Sequence, residues 1–264
     1  MLGLYKESQL FGLKKKRIEF DDLPEKVQEE LEMVEIRMME GEDPVPIFQK
    51  ISKKYPGFIP ARLNLASTLL DAGNLLNAKS TYQKILKEYP EELGAVAGLA
   101  TIFDTEKNHD EAEKLANRAI QGGYNWPPCY EVIAKAQEAR GETGNAANTY
   151  LSGYKISPHS WGYLEKYCKL TDREFKAPTE KIDPNISFDQ LESLICSIEK
   201  YANSPGENGE IQGCDHSFRF TEKWAESNNV NIINLYQFLN AHGGFCDCEV
   251  CFNVSELLDD NVEE

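Results

Sequence analysis

The residues best suited to chemistry in this sequence are cysteines and histidines in its last quarter. Cys214 and His216 are separated by one residue, and Cys246 and Cys248 have the same spacing. In an extended chain, residues i and i+2 project to the same side, so each pair can bind one side of a metal ion. Three thiolates and one imidazole form a closed tetrahedral set, which is the usual coordination of structural zinc. The spacing therefore predicts a structural zinc site formed by Cys214, His216, Cys246 and Cys248.

Other interpretations of the same residues stay open. Cys246 and Cys248 could act as a thiol redox switch, or the cysteines could be reduced structural thiols. A zinc-dependent hydrolase with Glu249 or Asp247 as its base is less favoured, because a catalytic zinc needs an open position that four protein ligands do not leave. No other arrangement of residues indicates an enzyme. Two further donors lie nearby, Cys251 and His242.

Helical segments must position the metal ligands. Residues 186–201 have apolar residues at helical spacing, with Ser187 as the N-cap. A second helix is expected to begin near Thr221, and a third spans 229–241 and ends where Gly243 takes the C′ position. We expect Asp215 and Asp247, which lie between the paired ligands, to point outward.

These residues also carry a family resemblance. The stretch CDHSFRFTEKW, at 214–224, is followed by HGGFCDCEVCFNV, at 242–254. The two motifs in this order resemble a bacterial family recorded as domain of unknown function 2695. The resemblance implies a small helical module with a metal-type cluster at 186–254, and it brings no activity. That family has an aliphatic residue where this chain has Cys251, which leaves Cys251 out of the ligand set.

A frame of 34 residues repeats in the first two thirds of the chain. The frame 59–92 has Ala78, Tyr82, Ile85 and Pro90, and the frame 127–160 has Ala146, Tyr150, Gly153 and Pro158 at the same offsets. The frame 93–126 has Ala112, Ala116 and Ala119 there, and the most divergent frame, 25–58, has Pro44, Phe48, Ile51 and Pro56. Small, aromatic and proline residues at one fixed period indicate stacked helical hairpins.

This period resembles the tetratricopeptide repeat. The resemblance implies an all-α fold, a superhelix of about four repeats with eight helices in 25–158. We expect Gly73 and Gly141 to adopt positive φ in the turns between paired helices. A further helix at 160–170 is expected to cover the last repeat. The predicted organisation is an N-terminal extension, a repeat domain, a linker, the Cys/His module and an acidic tail, at 1–24, 25–171, 172–185, 186–254 and 255–264.

The resemblance also implies a concave groove that binds a protein or peptide. By the family's pattern, the residues that face this groove are Arg62, Leu63, Leu70, Ala97, Thr101, Asp104, Glu131, Lys135 and Glu138. Some members bind the carboxylate tail of a chaperone through Lys, Arg and Asn residues. That set is missing, because Leu63, Ala97 and Glu131 occupy its positions. We therefore expect a different protein or peptide partner.

The overall composition excludes some classes of function. The formal net charge is −16, which argues against nucleic-acid binding and against docking on anionic membranes. The basic cluster at 14–17 follows the mildly apolar start of the chain, which is the wrong order for a secretory signal. The sequence favours a cytoplasmic interaction protein with 41% hydrophobic and 27% charged residues.

Overall fold

The computed structural model describes residues 16–179, 186–202 and 215–259. Its contacts divide the chain into two compact units, residues 1–136 and 137–264. All regular elements of the described residues are helical, which confirms the predicted all-α class. The boundary between the units falls within one helix, α8 (Pro127–Ala139).

The first unit contains seven helices and most of an eighth. A 3-10 turn at Phe20–Asp22 precedes α1 (Glu25–Glu32), α2 (Val34–Met39), α3 (Val45–Lys54), α4 (Ile59–Asp71), α5 (Leu75–Glu88), α6 (Leu93–Thr105), α7 (His109–Gln121) and α8 (Pro127–Ala139). The second unit contains α9 (Thr143–Ile156), α10 (Gly162–Leu170), α11 (Phe188–Ala202), α12 (Arg219–Ser227), α13 (Ile232–Ala241), α14 (Asp247–Glu249), a π-helical turn at Val250–Val254 and α15 (Glu256–Asp259).

The helix boundaries follow the 34-residue period. Asn74, Asn108 and Glu142 precede the second helix of three successive frames. Gly73 and Gly141 have φ of +73° and +77°, as predicted for the turns between paired helices. The equivalent residue of the third frame is Lys107, which adopts φ +61° without being glycine. The turn geometry therefore repeats more strictly than the residue type.

The first frame departs from the prediction. Eight helices were expected over residues 25–158, with a single helix at the start of the frame 25–58. The structure breaks that helix at Met33, which ends α1 and precedes α2. Residues 25–158 consequently form nine helices.

Small residues at the repeated positions let paired helices pack closely. Ala78, Ala112 and Ala146 are fully buried, and Tyr82 and Tyr150 are buried as predicted. The ring of Tyr82 lies directly on the backbone of α6 at Gly98. A Cβ added at Gly98 would be 2.2 Å from Cζ of Tyr82. Tyr82 thus fills the space toward the next repeat only because position 98 has no side chain.

The second unit has one apolar core that the last repeat shares with the C-terminal helices. Tyr154 of α9 is buried in this core, with its ring centroid 5.1 Å from that of Tyr236 of α13. Its hydroxyl donates a hydrogen bond of 3.1 Å to the side chain of Asn240. Leu164 and Cys168 of α10 belong to the same core. The helix predicted at 160–170 therefore packs where expected, against α9.

Candidate metal centre and partner groove

Three of the four predicted metal ligands converge in the second unit. The donor atoms of His216, Cys246 and Cys248 all lie within 4.8 Å of one another. The two sulfurs are 3.3 Å apart, which is well beyond a disulfide bond of about 2.05 Å. It is close to the roughly 3.8 Å edge of a tetrahedron with zinc–sulfur distances of about 2.3 Å. Cys214, the fourth predicted ligand, lies outside the described residues.

A compact turn presents His216 to this cluster. His216 has φ +59°, a left-handed conformation that is uncommon for residues other than glycine. The flanking carboxylate of Asp215 accepts hydrogen bonds from the backbone N–H and the hydroxyl of Ser217. Partial burial acts to raise the pKa of Asp215, but these hydrogen bonds and the charge of Arg219 lower it below its ordinary value. The residues on both sides of His216 are therefore joined to each other within the turn.

The two cysteine ligands are placed differently from the prediction. Cys246 is extended, with φ −157° and ψ 169°, but Asp247–Glu249 forms the helical turn α14. The extended-chain argument for the pair is thus wrong at Cys248, because the backbone turns immediately after Cys246. Cys246 is buried and Cys248 is half-buried. Their sulfurs approach each other across the start of a helical turn.

Asp247 is buried, whereas the sequence led us to expect it to point outward. It is 2% exposed. Its carboxylate accepts hydrogen bonds from the backbone N–H groups of Phe220 and Thr221, at 2.8 and 2.9 Å, and from the Thr221 hydroxyl at 2.7 Å. It therefore caps the N-terminus of α12, where unpaired N–H groups favour an anion. Burial raises the pKa of Asp247, and the donated hydrogen bonds act in the opposite direction.

This contact corrects the predicted start of α12. The helix begins at Arg219, two residues before the predicted start near Thr221. The backbone N–H of Asp247 also donates to the carbonyl of Ser217, at 2.9 Å. Because Asp247 lies between two cysteine ligands and Ser217 follows the histidine ligand, these bonds hold the two ligand segments together.

A second carboxylate connects the cysteine loop to the end of the last repeat. Glu249 accepts a hydrogen bond of 3.0 Å from the backbone N–H of Phe245. Its other oxygen is 3.6 Å from Nε2 of His159, and the His159 ring stacks on Phe245 with centroids 4.5 Å apart. Both carboxylates once considered as catalytic bases, Asp247 and Glu249, are thus engaged in structural contacts.

The two further potential ligands, His242 and Cys251, do not lie in this cluster. Nδ1 of His242 lies 2.9 Å from the carbonyl oxygen of Phe238. Cys251 is half-buried in the π-helical turn. Neither belongs to the group of converging donors found among the described residues.

The predicted groove residues differ in their exposure. Arg62, Ala97 and Asp104 are buried, and Arg62 forms an ion pair of 2.9 Å with Glu88 of its own repeat. Leu63, Leu70, Thr101, Glu131 and Lys135 are half-buried, and Glu138 is exposed in the second unit.

An ion network joins two of the groove helices. Lys135 of α8 lies 2.7 Å from Glu131 and 3.4 Å from Asp104 of α6. Asp104 is buried, and its other oxygen is 3.3 Å from Nδ1 of His109. Partial burial acts to lower the pKa of Lys135, but Glu131 and Asp104 raise it above its ordinary value. The accessible part of this surface therefore presents both apolar and paired charged groups.

Comparisons with known proteins match the two parts of the chain separately. Residues 69–136 match a family model described as tetratricopeptide repeat, and residues 206–253 match one described as protein of unknown function (DUF2695). Both resemblances inferred from the sequence are confirmed over these residues.

The curated relatives are mycobacterial. The uncharacterized proteins Rv2271 of Mycobacterium tuberculosis and Mb2294 of Mycobacterium bovis are each 38% identical over 69 residues. This match covers 26% of the chain and 63% of each relative. The chain thus spans less than two thirds of their length.

Three solved structures are similar to this chain at low identity. A thermophilic tetratricopeptide protein of Thermus thermophilus, TTC0263, is 13% identical with a TM-score of 0.46, covering 77% of this chain and all of that one. MamA is 17% identical with a TM-score of 0.43, covering 53% of this chain and 83% of that one. YrrB, described as having an unusual peptide-binding site, is 13% identical with a TM-score of 0.40, covering 72% and 96%. Within the described part of the chain, no helix has the length and apolar character needed to cross a bilayer.

Proposed function

We propose that this protein is a protein-interaction scaffold whose repeat groove binds a protein or peptide and whose C-terminal module is held by a structural zinc ion. The 34-residue helical repeat supports the first part, since stacked hairpins bury their own core and leave one face for a ligand. The convergence of His216, Cys246 and Cys248 carries the second part.

The groove is the binding surface of the scaffold. Half-buried Leu63 and Leu70 offer apolar contact, while Glu131 and Lys135 offer a charged pair that can exchange partners with a ligand. Arg62 is committed to Glu88 and supports the repeat. A ligand with both apolar and polar side chains fits such a surface.

The zinc ion would be held by Cys214, His216, Cys246 and Cys248. When bound, it would cross-link the segment at 215–217 to the segment at 246–248. The backbone N–H of Asp247 already joins these segments by its hydrogen bond to the carbonyl of Ser217. A small module has a limited apolar core, so a metal cross-link contributes much of its folding free energy. The donor set of thiolates and one imidazole fits zinc better than magnesium or calcium, which prefer oxygen ligands.

A chelator experiment tests the zinc proposal. Thermal unfolding of the full chain would be followed by circular dichroism with and without a strong zinc chelator. We expect the chelator to lower the melting temperature of the wild type and of Cys196→Ser, which changes an exposed cysteine outside the cluster. Cys248→Ser should melt early with or without chelator. Identical melting of all samples in both conditions would contradict the proposal.

Site-specific photo-crosslinking tests the groove. A photoreactive residue would replace Glu131 or Lys135, and Leu76, which is 82% exposed on α5, is the control position. We expect the groove positions to yield a defined adduct with one protein and the control to yield none. The same set of crosslinked proteins at all three positions would contradict the proposal that the groove binds a specific partner.

One observation favours a second candidate, the thiol redox switch. The 3.3 Å separation of the Cys246 and Cys248 sulfurs also suits a reversible disulfide. The two candidates differ in thiol reactivity. A zinc-bound set reacts slowly with thiol reagents until the metal is removed, whereas a metal-free redox pair reacts at once.

A further inference from the structure

A pocket in the first unit has the character of a docking site. We call it the N-terminal groove: a pocket of about 460 Å³ between α2 and α4, lined by Leu31, Val34, Glu35, Met38, Ser67 and Asp71 together with neighbouring aromatic residues. Its floor is apolar, because Val34, Phe48 and Phe58 are buried there. Its residue Ser67 stands at the same offset of the 34-residue frame as Thr101 and Lys135, so the pocket is the N-terminal part of the repeat groove, although none of the residues predicted for that groove lines it.

Methionines are concentrated beside this groove. The chain has four methionines, and three of them, Met33, Met38 and Met39, fall within seven residues of α1 and α2. They are 42%, 47% and 87% exposed. Exposed apolar clusters are unfavourable in water unless something covers them. Flexible methionine side chains are typical of surfaces that receive apolar side chains of a partner.

Acidic residues surround the apolar floor. Glu35 and Asp71 line the groove on opposite helices. From residue 25 to residue 43 the chain has eight Asp and Glu against two Lys and Arg. The groove therefore attracts a positively charged partner and repels an acidic one.

A polar side chain of α4 argues for a helical partner. The hydroxyl of Thr68 donates to the carbonyl of Asn64. This hydroxyl proton is committed within α4 and is not offered to the free backbone of an extended peptide. A helix satisfies its own backbone and needs only side-chain contacts.

We infer that the N-terminal groove binds a basic amphipathic helix of a partner protein. The apolar face of that helix would lie against Val34 and Met38, and its Lys or Arg residues would lie near Glu35 and Asp71. The inference rests on the proposed scaffold function and assigns a partner class to the N-terminal part of the repeat groove.

Two synthetic peptides test the inference on the full chain. One is a helical Leu/Lys peptide with leucines at i, i+3, i+4 and i+7, and the other is the same peptide with Glu in place of Lys. Binding would be measured by fluorescence anisotropy. We expect the Leu/Lys peptide to bind and the Leu/Glu peptide to bind at least about tenfold more weakly.

Matched variants locate the binding surface. Met38→Gln should weaken binding of the Leu/Lys peptide about tenfold, as expected for one lost apolar anchor, whereas Leu76→Gln on exposed α5 should leave it within about twofold. The double variant Glu35→Lys with Asp71→Lys should abolish binding. The control double variant Glu91→Lys with Asp110→Lys, which makes the same charge change at exposed positions, should retain it. Circular dichroism melting would confirm that each variant is folded.

Several outcomes would overturn the inference. If the control double variant weakened peptide binding equally, the peptide would be attracted only by the net charge of the chain. A mass twice that of the chain in ultracentrifugation, lost in Met38→Gln, would identify a second copy as the occupant. A gain of about tenfold in peptide affinity after removal of residues 1–15 would identify the chain's own start. Each of these results leaves crosslinking at Glu131 and Lys135 unaffected, so it is distinguishable from failure of the proposed function.

Discussion

Replacing Gly98 with alanine tests the packing between successive repeats. Alanine is the better helix former, and this change in the interior of α6 would by itself stabilise the chain by about 0.5–1 kcal/mol. The structure predicts the opposite sign. The added Cβ would lie 2.2, 2.5 and 2.6 Å from three ring atoms of Tyr82. Such distances require the ring to move.

The ring has little room to move. Tyr82 is 3% exposed. Inserting a group into a well-packed core typically costs about 1–3 kcal/mol. With a clash on three ring atoms we take the upper part of this range, so the net loss is about 1–2 kcal/mol after the gain in helix propensity.

Urea unfolding of the full chain, followed by circular dichroism, measures this loss as a lower midpoint. Gly144→Ala in α9 is the matched control, because a Cβ there meets nothing within 4 Å. It should be neutral or stabilising by up to about 1 kcal/mol. Gly98→Ala should also be less harmful when Tyr82 is changed to leucine, because the two positions are coupled. A midpoint that rises in Gly98→Ala would refute the account of how α5 packs on α6.

Three further predictions concern stability. Tyr82→Ala should lower the free energy of unfolding by about 3 kcal/mol in denaturant melts, whereas exposed Lys87→Ala should lower it by less than about 0.5 kcal/mol. A loss below about 1 kcal/mol for Tyr82→Ala would show that the repeat frame has been assigned wrongly. Asp247→Ala leaves buried N–H groups of α12 without a partner and should cost about 3 kcal/mol, against less than about 1 kcal/mol for exposed Asp215→Ala. A fragment of residues 137–264 should melt cooperatively, and a fragment of 172–264 should not, because the latter lacks Tyr154, Leu164 and Cys168 of the shared core; equal melting of both would contradict that core.

The helical repeat could be predicted because its signals are local. Ala78, Tyr82 and Ile85 lie on one helix, and the same pattern recurs at a fixed distance. The caps and turns between helices follow the same period. The repeat can therefore be predicted without knowing which residues that are distant in sequence contact each other. The break at Met33 and the positive φ of Lys107 are the exceptions. Neither residue type indicates a break or a left-handed turn.

The candidate metal site could be predicted from its residue types, but only part of its structure could be predicted. Cys246, Cys248 and His216 meet as the donor pattern indicates, and Cys214 stays a prediction. The role of Asp247 could not be predicted, because its partners Phe220 and Thr221 are 27 and 26 residues away in sequence. A buried carboxylate between two ligands is also the opposite of what its charge suggests. Only the packing of α12 against the cysteine loop explains it.

The N-terminal groove was also missed. The resemblance to the repeat family directs attention to inner helix positions of the middle frames, and the first frame diverges most from the pattern. The three methionines at 33–39 were the available signal, since they lie among acidic residues in an otherwise methionine-poor chain. Exposed apolar residues can be recognised only when the packing of the helix is known.

The most direct measurement of the central claim is the zinc content of the full chain, purified without chelator. Native mass spectrometry and elemental analysis would compare the wild type with Cys248→Ser, His216→Ala and the control Cys196→Ser. The account predicts one zinc ion per chain in the wild type and in Cys196→Ser, and loss of that zinc in the other two variants. Wild-type protein without zinc, or a zinc ion retained in both Cys248→Ser and His216→Ala, would contradict it.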